Sequence, residues 1–384
     1  MRTALDHAKT LLSFGDERIP VIVAEHGDKL IAEQIVALDT DLVVVVTDDD
    51  VLLRREGFIR ALDELVPVTV LSEEPGEAMK SMPVLASHLD AAVAAGATKR
   101  TVVVGLGGGV PGNLAGMVAG LLFRGVRLVH VPTNIASATD SVLSLKQAVN
   151  SSLGKNQIGV YRIPEAIFID LSAFTTLGTR EVRAGLCEAL KNALAIVPEQ
   201  LPAFEGRSLP NSSEEFTWLL EACIEAKSRV MRDDPYEQRE ALVLEYGHTV
   251  GHAVELCDRA LRGDDALSHG ESIAFGMLVA AHISMQLGYL SDRLVELHRR
   301  LIEGLGAPTS LPDGVSVDTV MDYVMHDNKR GLIRTAPDHA PMVLLESVGT
   351  PRKTDGIPLE GVPFSQIRSV LRQFVPVQDP SCGM

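Results

Sequence analysis

The sequence predicts an α/β fold, a doubly wound and mostly parallel sheet, followed by a second, all-helical domain. Three observations predict it. Over the first 172 residues short β-branched runs alternate with helical patterns, which implies a parallel sheet covered on both faces. Beyond Thr175 the strand signals nearly vanish and apolar residues recur at helical spacing. With 384 residues, 46% of them apolar, the chain is long enough for two cores. The boundary falls near 172–176, giving domains of 1–174 and 175–384.

In the first half the runs 20–24, 42–47, 68–71, 101–105, 127–131 and 166–170 read as buried strands. Helices at 29–37, 51–64, 78–95 and 112–123 lie between most of them. Ligands of such sheets bind beyond the carboxyl ends of the strands. Run 42–47 leads into Asp48-Asp49-Asp50, where an acidic side chain can accept hydrogen bonds from ribose hydroxyls; Asp50 equally suits the cap of the next helix. Run 101–105 leads into Gly107-Gly108-Gly109-Val110-Pro111-Gly112 and a helix, whose glycines let the backbone approach a pyrophosphate drawn to the helix N-terminus. The match to GxGxxG is formal only, because the acidic residue precedes the glycines instead of following them by about twenty residues. It is nucleotide chemistry in a different chain order. The stretch LSLKQAVNSSLGKN (143–156) has the composition of a loop or hairpin. Lys146, Lys155 and Asn156 there suit either a phosphate or a solvated basic loop.

In the second half helices are expected at 181–196, 214–231, 241–261, 271–287 and 291–303, with a β segment at 341–345 and a short helix at 364–374. The tail from residue 375 reads as mobile. LEYGHTVGHAVE (244–255) sets His248 and His252 one turn apart on one helix face. The metalloprotease pattern HExxH shares that spacing but needs Glu where Thr249 stands. Seventeen residues beyond His252 lies Ser268-His269-Gly270-Glu271, and sixty before His248 lies Glu188, with Lys191 one turn later. One Glu and two His from separate segments suit a catalytic zinc with an open position; the alternative for each His is a structural role.

The net charge of −16, from 51 acidic and 35 basic residues, disfavours a nucleic-acid surface. Four cysteines without paired spacing argue against a disulfide framework or a thiolate zinc site and fit a reducing cytoplasm. The first twenty residues lack the apolar core of a secretory signal, and the longest apolar run, 114–123, is too short to span a membrane.

Taken together and in order, GGGVPGNLAG, RGVRLVHVPTN, Asp140, Lys146, GKN, AGLCEALK, LEYGHTVGH and SHGE resemble the dehydroquinate synthase family of sugar-phosphate cyclases, over about residues 40–350. The resemblance implies an NAD-binding α/β domain, a helical domain with one divalent metal, zinc or cobalt, and a homodimer. It implies Glu188, His248 and His269 as metal ligands. Asp48, Glu77, Lys80, Gly108, Gly109, Thr133, Asn134 and Thr176 would surround NAD. Catalysis would fall to Asp140, Lys146, Lys191, Glu245 and His252. Arg124, Lys155, Asn156, Lys227 and Lys329 would hold the substrate, Arg124 in its own or the neighbouring subunit's site.

The departures from the family pattern bear on the substrate. Glu245 stands where Asn is usual, Ala241 where Arg is usual, Ser144-Leu145 where Gly-Gly is usual, Asn134 for a second Thr and Asn113 for an Asp. Such an Arg pairs bidentately with a carboxylate, so its loss points to a substrate without one. LSLKQAVN with LEYGH is similar to the branch that cyclises D-glucose 6-phosphate for aminoglycoside antibiotics. The implied reaction oxidises carbon 4 with NAD, eliminates phosphate after loss of the carbon-5 proton, returns the hydride and closes a carbocycle by aldol addition, with no net redox change. The carbon-5 proton goes to the substrate phosphate or to His252. A cyclase for dehydroquinate or for a seven-carbon sugar phosphate, a metal-dependent polyol dehydrogenase and a catalytically silent sugar-phosphate-binding subunit are the alternatives.

Overall fold

A computed structural model describes residues 10–152, 154–206, 209–327 and 329–376. The tail beyond residue 376, with Cys382, lies outside the described residues, as do residues 1–9 and Asn328. The chain divides into two compact units, Met1–Gly178 with Pro210–Tyr236, and Thr179–Leu209 with Glu237–Met384.

The first unit is built on strands β1 (Thr10–Phe14), β2 (Glu17–Ala24), β3 (Val43–Asp48), β4 (Val68–Glu73), β5 (Val102–Gly107), β6 (Arg127–Pro132) and β9 (Ala166–Asp170). They form one sheet in the order β1-β2-β9-β6-β5-β3-β4, parallel except for β1 against β2. Helices α1 (Asp28–Val36), α2 (Asp49–Arg54), α3 (Glu56–Asp63), α4 (Met82–Ala94), α5 (Gly109–Leu121) and α6 (Ile135–Thr139) lie between strands. Alternation along β3 divides the core: Val44 and Val46 pack with Leu85 and Leu114, whereas Val43 and Val45 pack with Ile31 and Phe58. Both faces are thereby covered. β1 lies outside the strands expected from the sequence. It is fixed by a two-residue hairpin whose first residue, Gly15, has φ +58°.

From β3 the chain runs outward to β4, whereas β5 returns to the other side of β3 and β6 continues that way. The ends of β3 and β5 therefore form the topological switch point, where ligands of such sheets bind. In register Val46 faces Gly105, so Asp48 and Gly107 end neighbouring strands. Reversed chain order still brings acid and glycines together. Strands β7 (Lys146–Ser151) and β8 (Gly154–Tyr161) make the hairpin that composition suggested.

Helix α8 (Ser213–Met231) follows the expected boundary in sequence but belongs to the first unit. The sequence division at 174 cannot see this, because the cause is long-range: Ser13 N donates to Ser228 Oγ at 3.1 Å, and Gly15 N to Met231 O at 3.2 Å. The helix expected at 51–64 is also two, α2 and α3, broken where Arg55 turns inward to Asp28 and Asp170.

The second unit contains α7 (Thr179–Ala195), α9 (His248–Arg262), α10 (His269–Gln286), α11 (Asp292–Gly304), α12 (Val317–Val324) and α13 (Phe364–Leu371). It is not wholly helical. Strands β10 (His339–Met342) and β13 (Glu360–Pro363) pair antiparallel, as do β11 (Leu345–Ser347) and β12 (Thr350–Pro351). The helix expected over 241–261 is interrupted: Glu240–Glu245 is a 3-10 turn, and Gly247 (φ +82°) precedes α9. A side chain at Gly247 would also meet Ile273 O at 2.7 Å, and one at Gly276 would meet Gly247 O at 2.0 Å. The break lets α9 and α10 approach backbone to backbone. Among the described residues no helix is long and apolar enough to cross a membrane.

Candidate functional site

In the helical unit three imidazoles converge. His248 is the first residue of α9, His252 lies one turn on, and His269 is the first residue of α10. One ligand atom from each lies within 4.8 Å of those of the others. The two helix starts are held in ways that explain the motifs. Ser268 caps α10 and Glu271 returns the bond to the Ser268 backbone, a capping box. Glu271 is also held by Arg180 at 3.1 Å and Arg183 at 3.0 Å, both on α7. A side chain at Gly270 would lie 2.1 Å from Ala184 O, so only glycine permits this contact between α10 and α7. The motif SHGE is thus a helix cap that delivers His269 towards α7.

Helix α7 supplies Glu188 and Lys191, both almost fully buried and bonded at 2.6 Å. The other Glu188 oxygen, Oε1, is buried without a hydrogen-bond partner and lies 3.6 Å from His269 Nε2. A buried anionic oxygen left unsatisfied is costly, and a cation beside the imidazoles would satisfy it. The ring nitrogens are oriented for the same purpose. His269 Nδ1 bonds Glu255 Oε2 at 3.0 Å and His248 Nδ1 bonds Tyr246 O at 3.2 Å, leaving Nε2 of each as the lone-pair donor. Burial, reinforced by Lys191, holds His248 well below the usual histidine range; burial, with His269 and Lys329, pushes His252 down to about 3. Neutral imidazoles are the form that binds metal. The three imidazoles could hold a divalent ion, and Glu188 Oε1 beside His269 is a candidate further donor. Beside it, buried Lys329 bonds Asp327 Oδ2 at 2.9 Å and lies 3.5 Å from Glu245 Oε2.

In the α/β unit Asp48, not Asp50, caps α2 by accepting from Val51 N at 2.9 Å. Burial raises its pKa. Gly108 precedes α5, and a side chain there would meet Asn134 Nδ2 at 2.7 Å; at Gly109 it would meet Ser141 Oγ at 3.3 Å. Thr133 N donates to Gly107 O, and Asn134 caps α6. This side-chain-free start of a 13-residue helix fits a nucleotide pyrophosphate. A second group links Glu77, Lys80, Lys155 and Asn156. Asn150 joins them, donating to Glu77 Oε1 at 2.7 Å and accepting from Asn156 N at 2.9 Å. Lys80 donates to Asn156 Oδ1, Lys155 lies 3.7 Å from Glu77, and burial pushes Lys80 down to about 8. Lys227, buried on α8, pairs with Asp140 at 2.6 Å. Lys146 opens β7. Arg124 and Thr176 are not drawn into these groups: both are exposed, Arg124 with φ +69° and Thr176 bonded to Ala173 O in its own turn.

Residues 70–184 match the 3-dehydroquinate synthase N-terminal family and residues 185–330 its C-terminal counterpart. The chain belongs to the 3-dehydroquinate synthase family. It is 41% identical over 370 residues to a 2-deoxy-scyllo-inosose synthase of Streptoalloteichus tenebrarius, covering 95% of each chain. It is 40% identical to that of Streptomyces fradiae, covering 94% of this chain and 84% of the relative. Among solved structures, a 2-deoxy-scyllo-inosose synthase complexed with carbaglucose-6-phosphate, NAD+ and Co2+ superposes with TM-score 0.87 at 33% identity, covering 95% of this chain and 99% of that one.

Glu255 and Asn150 escaped sequence reasoning, whereas the run 327–330 stands out in the sequence as candidate chemistry, and Asp327 indeed pairs with Lys329. Glu255 is the more legible of the two, since it follows His252 by three residues and so shares its helix face. Asn150 alternates with Lys146 along β7, which puts both on one side of the strand.

Proposed function

We propose that this protein is a sugar-phosphate cyclase that converts D-glucose 6-phosphate to 2-deoxy-scyllo-inosose and phosphate, a step towards 2-deoxystreptamine aminoglycosides. The α/β unit takes NAD and the helical unit takes zinc or cobalt. The observation that carries the substrate is Glu245, which adds a negative charge beside the metal-binding cluster where the family usually has Asn, together with the buried Ala241 where it usually has Arg. A carboxylate-bearing substrate would meet repulsion and lack a bidentate partner. A neutral polyol with one phosphate meets neither penalty.

Bound NAD supplies reversible hydride transfer at carbon 4, and a bound divalent metal supplies Lewis-acid polarisation of the oxygen there. Glu188, His248 and His269 would hold the metal, and Lys191 pairs with Glu188. Asp48, Gly108, Gly109, Thr133 and Asn134 would line the nucleotide, with Glu77 and Lys80. In the α/β unit Lys146, Lys155, Asn156 and Lys227 are candidates to gather the sugar phosphate, with Asp140 setting the position of Lys227; in the helical unit Lys329 is a candidate cation. Glu245 accepts a hydrogen bond from a sugar hydroxyl. The carbon-5 proton passes to the substrate phosphate or to His252, which burial keeps neutral.

A homodimer in the cytoplasm belongs to the same proposal. Exposed Leu121, Phe123, Ile158 and Tyr161 offer apolar area for self-association, and the buried, unbridged Cys187, Cys223 and Cys257 suit a reducing compartment. Sedimentation equilibrium at twice the chain mass supports the dimer, and a monomer removes it. The activity is tested by incubating glucose 6-phosphate with substoichiometric NAD and the metal. Many equivalents of phosphate per NAD without NADH accumulation are expected. NADH formation without phosphate release would favour a polyol dehydrogenase.

A further inference from the structure

We infer that Tyr246 and His298, a buried pair behind the imidazole cluster, are positioning residues for His248. The inference rests on the proposed metal role of His248. Tyr246 and His298 are both fully buried, Tyr246 just before α9 and His298 on α11. His298 Nδ1 bonds Leu294 O at 2.7 Å. A carbonyl only accepts, so this nitrogen carries the proton and Nε2 is left as an acceptor. Tyr246 Oη lies 3.0 Å from that Nε2, and Met277 O, at 3.3 Å, is its other acceptor.

The phenol is therefore anchored at its far end, and its backbone carries the consequence. Tyr246 (φ −58°, ψ 125°) and Gly247 (φ 82°, ψ −18°) have the dihedrals of the two central residues of a type II turn. That turn fixes the plane of the peptide between them and so the direction of Tyr246 O. This carbonyl receives His248 Nδ1–H at 3.2 Å, which sets the tautomer and the rotation of the ring and presents Nε2 to the cluster. His298, Tyr246, the turn peptide and His248 form one chain of contacts from α11 to the metal-binding nitrogen. The hydroxyl is the link that a phenylalanine would lack.

The test measures Co2+ affinity and the visible d–d spectrum of the cobalt-loaded, full-length protein. Tyr246→Phe keeps the ring and removes the anchor, so metal binding should weaken about 10- to 100-fold, the range for groups that orient ligands, and the d–d bands should shift. His298→Leu should change both in the same direction by less, because Met277 O still receives the phenol; it also serves if Tyr246→Phe does not fold. Ile302→Ala, on the same helix and buried but outside these hydrogen bonds, controls for lost stability. Wild-type affinity and spectrum in Tyr246→Phe, or an equal change in Ile302→Ala, would overturn the inference. A wild-type protein that binds no cobalt, or a His248→Ala variant that binds it as well, would remove the metal assignment and this inference with it.

Discussion

The imidazole cluster of the helical unit and the lysine–asparagine network of the α/β unit are both polar groups of one proposed catalyst, yet they are held in opposite ways. The cluster is fixed by backbone. Two histidines open helices, glycines allow those helices to touch, and the orienting partners Glu255 and Tyr246 O each engage a nitrogen turned away from the site. In the network the cations hold side chains instead: Lys80 holds Asn156, Lys155 faces Glu77 and Lys227 holds Asp140. Such partners can be exchanged for phosphate oxygens at little cost. A metal demands angles set before it arrives, whereas a phosphate tolerates donors that turn to meet it.

The largest effect should come from the fixed site. Glu188→Gln removes the anionic donor while keeping its shape. Loss of several kcal/mol of charge stabilisation lowers activity by ~1000-fold or more, and metal analysis should show reduced occupancy. Full occupancy with full activity would exclude Glu188 as a ligand. Next in size, Glu245→Gln should lower kcat/KM for glucose 6-phosphate about ten- to a hundredfold, since a charge-assisted hydrogen bond is worth roughly 1.5–3 kcal/mol. Unchanged kinetics at full metal occupancy would show that Glu245 does not select the substrate. Lys155→Ala, from the exchangeable network, should raise KM for glucose 6-phosphate more than it lowers kcat, by about tenfold or less, because other cations remain. A loss confined to kcat would contradict the contrast between the two regions.

The smallest effect is a pH dependence away from both regions. His130 on β6 is fully buried with neither ring nitrogen bonded, and burial pushes it down to about 4. Between that value and the unfolded histidine value near 6.5 the unfolded chain binds the extra proton. Its contribution to stability is therefore present above about pH 6.5 and declines as pH falls towards 4. His130→Leu should flatten the fall in Tm between pH 6.5 and 5. An unchanged slope would refute this origin.

Sequence pattern carried far in the α/β unit, where buried valine runs such as 43–46 state a parallel strand directly and the acid-then-glycine order maps onto one switch point. It also pointed to His248, His252 and His269, which cluster in the structure, because helical spacing and a capping motif are local. It could not show what distant segments decide. The return of α8 to β1 depends on hydrogen bonds across more than two hundred residues. The break at Gly247 arises from contact with α10. Asp327 and His298 reach Lys329 and Tyr246 by buried pairings that leave no periodicity.

The central claim is that one enzyme breaks a carbon–oxygen bond to phosphate and makes a new carbon–carbon bond without consuming NAD. Uniformly 13C-labelled glucose 6-phosphate, followed by 13C and 31P NMR with substoichiometric NAD and Co2+, tests it most directly. The account predicts inorganic phosphate in step with a new coupling between carbon 6 and carbon 1 in a cyclic ketone, while NADH stays below the NAD added. Phosphate release without that coupling, or one NADH for each sugar consumed, would contradict it.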